Sequence, residues 1–293
     1  MSSSVVAIEV TRGPVGKLLL GLGEHRFGLG NEHIALACAS HSGEKRHVET
    51  VRAWLKQVGL GESDLECGTH APRLPATLEE LVREGKTPTP AFNNCSGKHS
   101  GFLTTAVQYG EPTRGYIRYD HPVQRRLRDV MTELCGADAH AFPHGTDGCG
   151  IPTLATPLVS LARAMASMAD PSLLSSRHAD AAGRIRAAMN AEPFMMAGTG
   201  RFCTRINAAL PGVAQIKTGA EGVFCGMLPT LGLGVAIKMW DGAARASEVA
   251  MAALLDHLGV LPAGLGAEIL KPPVKNVVGL LVGEMRPART WLG

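Results

Sequence analysis

Nine consecutive residues, Asn93-Asn94-Cys95-Ser96-Gly97-Lys98-His99-Ser100-Gly101, gather a thiol, an ammonium, an imidazole, amides and hydroxyls with no bulky apolar side chain. A folding core has no use for such a mixture, so the segment is expected to line a site. A second polar knot, Gly145-Thr146-Asp147-Gly148-Cys149-Gly150-Ile151-Pro152, has the same character. Its glycines and proline imply a tight, fixed backbone presenting Asp147 and Cys149. Two thiolates suit a zinc ion, so Cys95 and Cys149 are candidate ligands. Lys98 is a rarer third donor, because its amine must be neutral to coordinate. His41, His70, His99 and His121 are further potential ligands, each weighed against an ordinary hydrogen-bonded structural role.

Nucleophilic chemistry has its own candidates. Lys217-Thr218-Gly219 closes a β-branched stretch late in the chain, and a Lys-Thr-Gly edge strand is one of three elements of penicillin-recognising serine hydrolases. The Ser-x-x-Lys that such enzymes place early has one early match, Ser42-Gly43-Glu44-Lys45. Ser40, which ends a buried apolar run, is the better serine. A desolvated lysine beside another cation can lose its proton and activate a hydroxyl, so Ser40 with Lys217 is a chemically sensible pair. The alternative is that Ser40 only caps a turn. Ser96-Gly97-Lys98-His99 fails as a phosphate loop because Phe92 stands where the first glycine is required. A β-lactam hydrolase rests on the Lys-Thr-Gly triplet alone.

Composition narrows the classes. The chain has 293 residues, 45% hydrophobic and 19% charged, with a net charge of +3. That length makes one large or two intimate domains. No basic run exceeds Arg125-Arg126 and aromatics are 4%, which disfavours nucleic acid as a partner. No segment is of signal-peptide or membrane-spanning type, so a cytoplasmic location with no membrane partner is expected. The seven cysteines are then read as free thiols. Cys38, Cys135 and Cys225 lie in apolar surroundings and Cys67 is undecided, whereas Cys95, Cys149 and Cys203 have polar, glycine-rich neighbours.

These residues must be positioned by elements. Periodicity predicts a strand over 5–11, helical spacing from Val15 to Leu22, a helix over 47–60, a short helix opened by a capping box at Thr77, and helices over 122–134, 154–169 and 178–189. Strands follow over 213–218, 222–228 and 233–240, with a hairpin turn at Pro229–Gly232, then a helix over 243–258 and a last strand over 277–285. The expected architecture is α/β: a sheet from both chain ends (1–12 and 198–293) with a mainly helical region, 13–197, inserted.

Several motifs taken together resemble the asparaginase II family of Rhizobium etli type. They are Cys38-Ala39-Ser40-His41-Ser42-Gly43-Glu44, Leu65-x-Cys67-Gly68-x-His70, Asn94 to Gly101, Asp120-His121-Pro122-Val123-Gln124 and Gly145 to Pro152. Gly200-Arg201-Phe202-Cys203-Thr204, Lys217-Thr218-Gly219-Ala220-Glu221-Gly222 and Lys238-x-x-Asp241-Gly242 continue the series. The resemblance implies a fold like the serine β-lactamases and glutaminases, a homodimer, and hydrolysis of L-asparagine to L-aspartate and ammonia. It implies that Ser40 and Lys217 form a Ser–Lys pair, that Cys95, Lys98 and Cys149 surround a zinc ion, and that Asp147, Cys203, Arg201 and His41 line the substrate site. One departure stands out. Members carry an N-terminal hairpin followed by Arg-Ser-x-x-Lys-Pro, which supplies a second Ser–Lys pair, whereas here Gly13 runs directly into Pro14-Val15-Gly16-Lys17-Leu18. Catalysis would then fall to Ser40 and Lys217; the alternative is an impaired relative that binds zinc or amino acid without turnover.

Overall fold

Period-two alternation in two late strands explains the centre of the molecule. In Val223–Leu228, Phe224 and Leu228 face one apolar core while Cys225 and Met227 face another. In Leu233–Met239, Val235 and Ile237 join the first of these cores and Ala236 the second. A sheet apolar on both faces must be covered on both. The computed structural model, which describes residues 6–11 and 24–288, shows helices on either side.

The elements run β1 Val6–Thr11, α1 Glu24–Phe27, α2 Asn31–Cys38, α3 Lys45–Gln57, α4 Pro75–Arg83, α5 Ser96–Tyr109 and α6 Pro122–Cys135. A small hairpin, β2 His144–Thr146 and β3 Pro152–Leu154, precedes α7 Leu158–Ala169, α8 Ser176–Ala191, α9 Pro193–Ala197 and α10 Phe202–Ala209. The chain then forms β4 Gln215–Thr218, β5 Val223–Leu228, β6 Leu233–Met239, α11 Ala244–His257, α12 Ala263–Leu270, β7 Pro273–Lys275 and β8 Leu281–Glu284. The main sheet has the order β1-β6-β5-β4, antiparallel throughout, with Val6 opposite Met239 and Lys217 opposite Cys225. Strands from the two ends of the chain thus pair, with helices between them in sequence.

Helix α7 lies on one sheet face and α11 on the other. The α7 contact is close because a Cβ at Gly234 would stand 2.1 Å from the Ala166 nitrogen and 2.3 Å from the Ala162 oxygen. Helix α2 is buried over Ile34 to Cys38 and packs against α5, where a Cβ at Gly97 would stand 2.5 Å from the Leu36 oxygen. This fixes Ser40, just beyond α2, relative to Lys98 in the first turn of α5.

Some expectations need correction. The helix expected from Thr77 begins at Pro75, with proline in its first turn, so Thr77 is interior rather than a cap. The helix expected from Leu154 begins at Leu158, because Leu154 ends β3 and Pro157 precedes the first helical residue. The last strand expected over 277–285 is a hairpin: Gly279 has φ 82° and the Asn276 side chain accepts from Leu280 N at 2.9 Å, turning the chain back. The helical spacing from Val15 to Leu22 and the Pro14 junction lie outside the described residues.

Candidate active site

The polar knot after β2 folds as a tight turn because its carboxylate and backbone satisfy one another. Asp147 Oδ1 accepts from Gly148 N at 2.9 Å, Gly150 N donates to Asp147 O at 2.8 Å, and Asp147 N donates to Ile151 O at 2.9 Å. Gly150 takes φ 86°, which a side chain would resist. The turn delivers Asp147 Oδ2 and Cys149 Sγ to one place, 3.2 Å apart.

Cys95 comes to the same place from the start of α5. Its N–H donates to Asn93 Oδ1 at 2.8 Å, and the Asn93 amide is held by the Cys67 carbonyl at 2.8 Å. The donor atoms of Cys95, Asp147 and Cys149 all lie within 4.8 Å of one another. Lys98 Nζ is 3.4 Å from Cys149 Sγ and 3.8 Å from Asp147 Oδ2, with its side chain 11% exposed. Burial acts to lower the lysine pKa, but Cys95, Cys149 and Asp147 together outweigh it and the net shift is upward. The Cys149 thiol is pushed up, first by its hydrogen bond with Cys95 and then by burial. Two buried thiols and a carboxylate sharing protons are a donor set that a soft divalent cation would occupy in place of those protons.

The flank of this cluster is a polar network buried in the helical region, which corrects the expectation that the whole Asn93–Gly101 segment lines a site. Ser96, His99 and Ser100 are fully buried. His41 Nδ1 accepts from Gly43 N at 3.1 Å, so Nε2 carries the proton and donates to Ser96 Oγ at 3.0 Å, which donates onward to Ala91 O at 2.9 Å. Burial, followed by the charges of His47 and Arg73, holds the His41 pKa well below the ordinary imidazole value. His99 Nδ1 meets Tyr116 Oη at 2.7 Å, His121 caps α6 by accepting from Val123 N at 3.2 Å, and His70 is exposed. Among the described residues, the ion-ligand grouping contains no histidine.

Ser42 is not a dyad serine. Its Oγ donates to Ala197 O at 2.6 Å, while Lys45 points to solvent beside Glu49. The same loop holds the next segment, since both Glu44 carboxylate oxygens accept from Thr199, from its N at 2.7 Å and its Oγ1 at 2.6 Å. Gly198, at φ 106°, has no room for a Cβ against Glu44 and Ser42. Arg201, Phe202 and Cys203 follow directly.

Arg201 Nη1 is buried and, among the described residues, has no hydrogen-bond partner. Neighbouring groups feel its charge. Arg73 has a lowered pKa, first from burial and then from Arg201, while Cys95 opposes the shift. Burial pushes Cys203 up to about 11, against the Thr218 backbone, Arg201 and Lys217. Arg73 thus connects Arg201 with the cysteine cluster, and Cys203 connects it with Lys217. Lys217 is set on β4 by Asn207, whose side chain grips both Ile216 N at 2.7 Å and Ile216 O at 3.0 Å. The Lys217 Nζ donates to Thr218 O at 3.2 Å, and Ser40, half-buried, has no side-chain hydrogen bond among the described residues. No Ser40–Lys217 hydrogen bond is therefore formed in this structure.

The Lys238-x-x-Asp241-Gly242 motif belongs to the frame. Lys238 Nζ donates to Glu221 O and to Met239 O, the latter at 2.9 Å, tying the turn after Lys217 to the end of β6. Sequence reasoning missed Arg73 and Glu248. Arg73 had one usable signal, an arginine between Pro72 and Pro75 on a constrained backbone. Glu248, whose pKa burial raises against the pull of Arg201 and Arg205, sits in an ordinary helical pattern.

A family model described as L-asparaginase II matches residues 18–287. Comparison with curated proteins gives no match.

Proposed function

The chain belongs to the L-asparaginase II family, and on that premise we propose that it is a cytoplasmic amidohydrolase that cleaves L-asparagine to L-aspartate and ammonia on a fold of the serine β-lactamase and glutaminase kind. In this reading 1–12 and 198–293 form the sheet-containing part, and 13–197 the helical part that carries the cysteine knot.

The observation that carries the substrate assignment is the buried Arg201 Nη1, which has no hydrogen-bond partner among the described residues. A buried guanidinium donor is costly to leave unpaired, and a carboxylate satisfies it in a planar, charge-assisted geometry. Arg201, with Arg73 beside it, would receive the α-carboxylate of an amino acid and leave the side-chain amide toward Ser40 and Lys217. Ser40 Oγ attacks the amide carbon as its proton passes to the Lys217 amine. The C–N bond then breaks, Lys217 returns the proton to the departing nitrogen, and ammonia leaves. Water, activated by the same amine, hydrolyses the ester and frees aspartate. Cys203, held as a neutral thiol by burial, shapes the pocket and is not the nucleophile. His41, buried with its proton committed to Ser96, holds the loop that carries Ser40.

Cys95, Cys149 and Asp147 would hold a zinc ion, with Lys98 a further donor once the cation's charge displaces the proton from its amine. The ion would supply a fixed positive charge that positions the substrate.

Ser40→Ala should lower ammonia release from L-asparagine by at least about a thousandfold while far-UV circular dichroism and zinc content stay those of the parent. Unchanged turnover in that variant would remove Ser40 from the mechanism. Absence of turnover in the folded, zinc-loaded parent would overturn the assignment of activity.

A further inference from the structure

A cavity of about 220 Å³ lies between the β2–β3 hairpin and the loop after Tyr116, and the proposed reaction makes no use of it. Alternation along the hairpin builds its floor. His144 and Thr146 project to one face of β2, and Pro152, directly opposite Thr146, projects to the same face of β3. Ile117, Arg118 and Tyr119 form the wall. Wall and floor are joined by a stack of three planar groups. The Tyr119 ring lies on the His144 ring with centroids 3.8 Å apart and 14° between planes, and the Arg128 guanidinium lies over Tyr119 at 3.7 Å from its centroid. Arg128 is buried, and donates to Tyr119 O at 2.9 Å and to His140 Nδ1 at 3.3 Å.

The polar side chains around this space are rich in donors. Arg118 Nε is 3.5 Å from Asp120 Oδ1, but both side chains are more than 70% exposed, so the pair is weak and the guanidinium is free to turn. The Thr146 hydroxyl and the His144 ring nitrogens have no hydrogen-bond partner among the described residues. In either tautomer His144 has one N–H to give. Among the described residues that line the cavity none is acidic. Behind the stack, Arg128 forms no ion pair among the described residues, so a buried positive charge acts on the cavity across a single tyrosine ring. At ~30 Å³ for each water the space holds about seven, which suits a small organic anion.

We propose that this cavity binds a small dicarboxylate, at a site that shares no residue with Ser40, Lys217 and Arg201. One carboxylate takes the Arg118 fork in the planar geometry that a guanidinium favours. The other accepts from the Thr146 hydroxyl and the His144 ring N–H on the floor. The position of the site gives binding a consequence. Thr146 and Gly150 flank the turn that presents Asp147 and Cys149, and that turn is closed by Asp147 N to Ile151 O at 2.9 Å and Gly150 N to Asp147 O at 2.8 Å. A ligand that bridges Arg118 to Thr146 ties the 117–119 loop to this turn and restrains both against local opening.

Amide hydrogen exchange of the full chain, with and without succinate as the probe, reads this restraint directly. Succinate should slow exchange in peptides covering 117–119 and 144–152. Combining Arg118→Gln with Thr146→Val should weaken succinate binding in calorimetry by at least about tenfold, because it removes a charge-assisted hydrogen bond and a hydroxyl donor. Both side chains are exposed, so the circular dichroism spectrum of this variant should match the parent. In the Arg201→Gln chain, which lacks the proposed carboxylate anchor of the substrate site, the same peptides should remain protected. Protection confined to peptides that contain Arg73 and Arg201 overturns the proposal, since succinate would then occupy the substrate site alone. So does undiminished binding in the Arg118→Gln, Thr146→Val chain. So does the absence of any protection at about 10 mM succinate, ten times a ~1 mM Kd. None of these outcomes depends on turnover.

Discussion

Cys149 is the residue at which the charge and proton balance of the site can be perturbed with least structural disturbance. Its thiol donates to Asp147 and accepts from Lys98, and the backbone that presents it is held by hydrogen bonds not involving sulfur. On the proposed zinc site, Cys149→Ser should therefore keep the turn and weaken zinc binding. Weakening a second-sphere partner alone costs about 10–100-fold in affinity, so loss of a direct thiolate should cost at least about a hundredfold, read by zinc titration against a competing chelator. Cys203→Ser is the control, because that thiol lies against Thr218, Arg201 and Lys217 and its loss should leave zinc uptake as it was. If the two serine variants lose zinc equally, Cys149 is not a ligand. Neighbour polarity in the sequence separated Cys95 and Cys149 from Cys38 and Cys225 because a turn rich in glycine leaves a thiol among other donors, whereas an apolar run buries it. It could not single out Arg73, whose role comes from three-dimensional convergence with Arg201 and Cys95. Nor could it show that Ser96 and His99 face inward, since small polar residues on a helix read alike whichever side is buried.

At the scale of elements, the sheet and α7 meet through glycine. Gly234 occupies β6 where the α7 backbone passes, and a methyl there would stand 2.1 Å from one backbone atom and 2.3 Å from another. Flexible side chains could yield, but a helix backbone held by its own hydrogen bonds cannot without lifting the helix. Overpacking of this kind costs about 1–3 kcal/mol where side chains can adapt, so Gly234→Ala should fall at or above the top of that range. A urea-unfolding midpoint within error of the parent would mean that α7 does not rest on β6 as described. The late strands were legible because both sheet faces are buried in a two-residue rhythm and Gly232 ends the hairpin turn with φ 61°. The terminal hairpin was not, because Val277 to Leu281 is apolar like a strand although Asn276 and Gly279 turn it. The three-residue strands β2 and β3 are too short to show any period.

For the whole molecule, three imidazoles are held neutral inside the helical region, and this sets the acid limit of stability. His41, His47 and His33 all have pKa values below the ordinary 6.5, in each case chiefly through burial. His41 stacks on His47 at 4.9 Å between centroids, and His47 on Phe194 at 4.7 Å, so a proton on either ring would be buried against the other. Above pH 6.5 both folded and unfolded chains leave these rings neutral, and the histidines add no pH dependence. As pH falls below 6.5 the unfolded chain takes up protons that the folded chain refuses, so stability drops by about 1.4 kcal/mol per pH unit for each histidine fully held neutral. His33, whose lowering by burial is opposed by the Glu32 charge and the Gly30 backbone, contributes less than its full share. Glu248 acts in the opposite sense, because burial raises its pKa and the folded chain gains stability as pH falls through that value. One carboxyl offsets at most about one of the imidazoles, so a net loss of stability is expected between about pH 6.5 and about pH 5. His41→Gln should lower stability at neutral pH, by removing the links to Gly43 and Ser96, and make the dependence on pH shallower by close to one proton. Urea unfolding of parent and variant across this range separates the two effects, since the first moves the midpoint and the second the slope of stability against pH. Parallel curves for parent and variant would show that His41 takes up its proton in the folded state as readily as in the unfolded one.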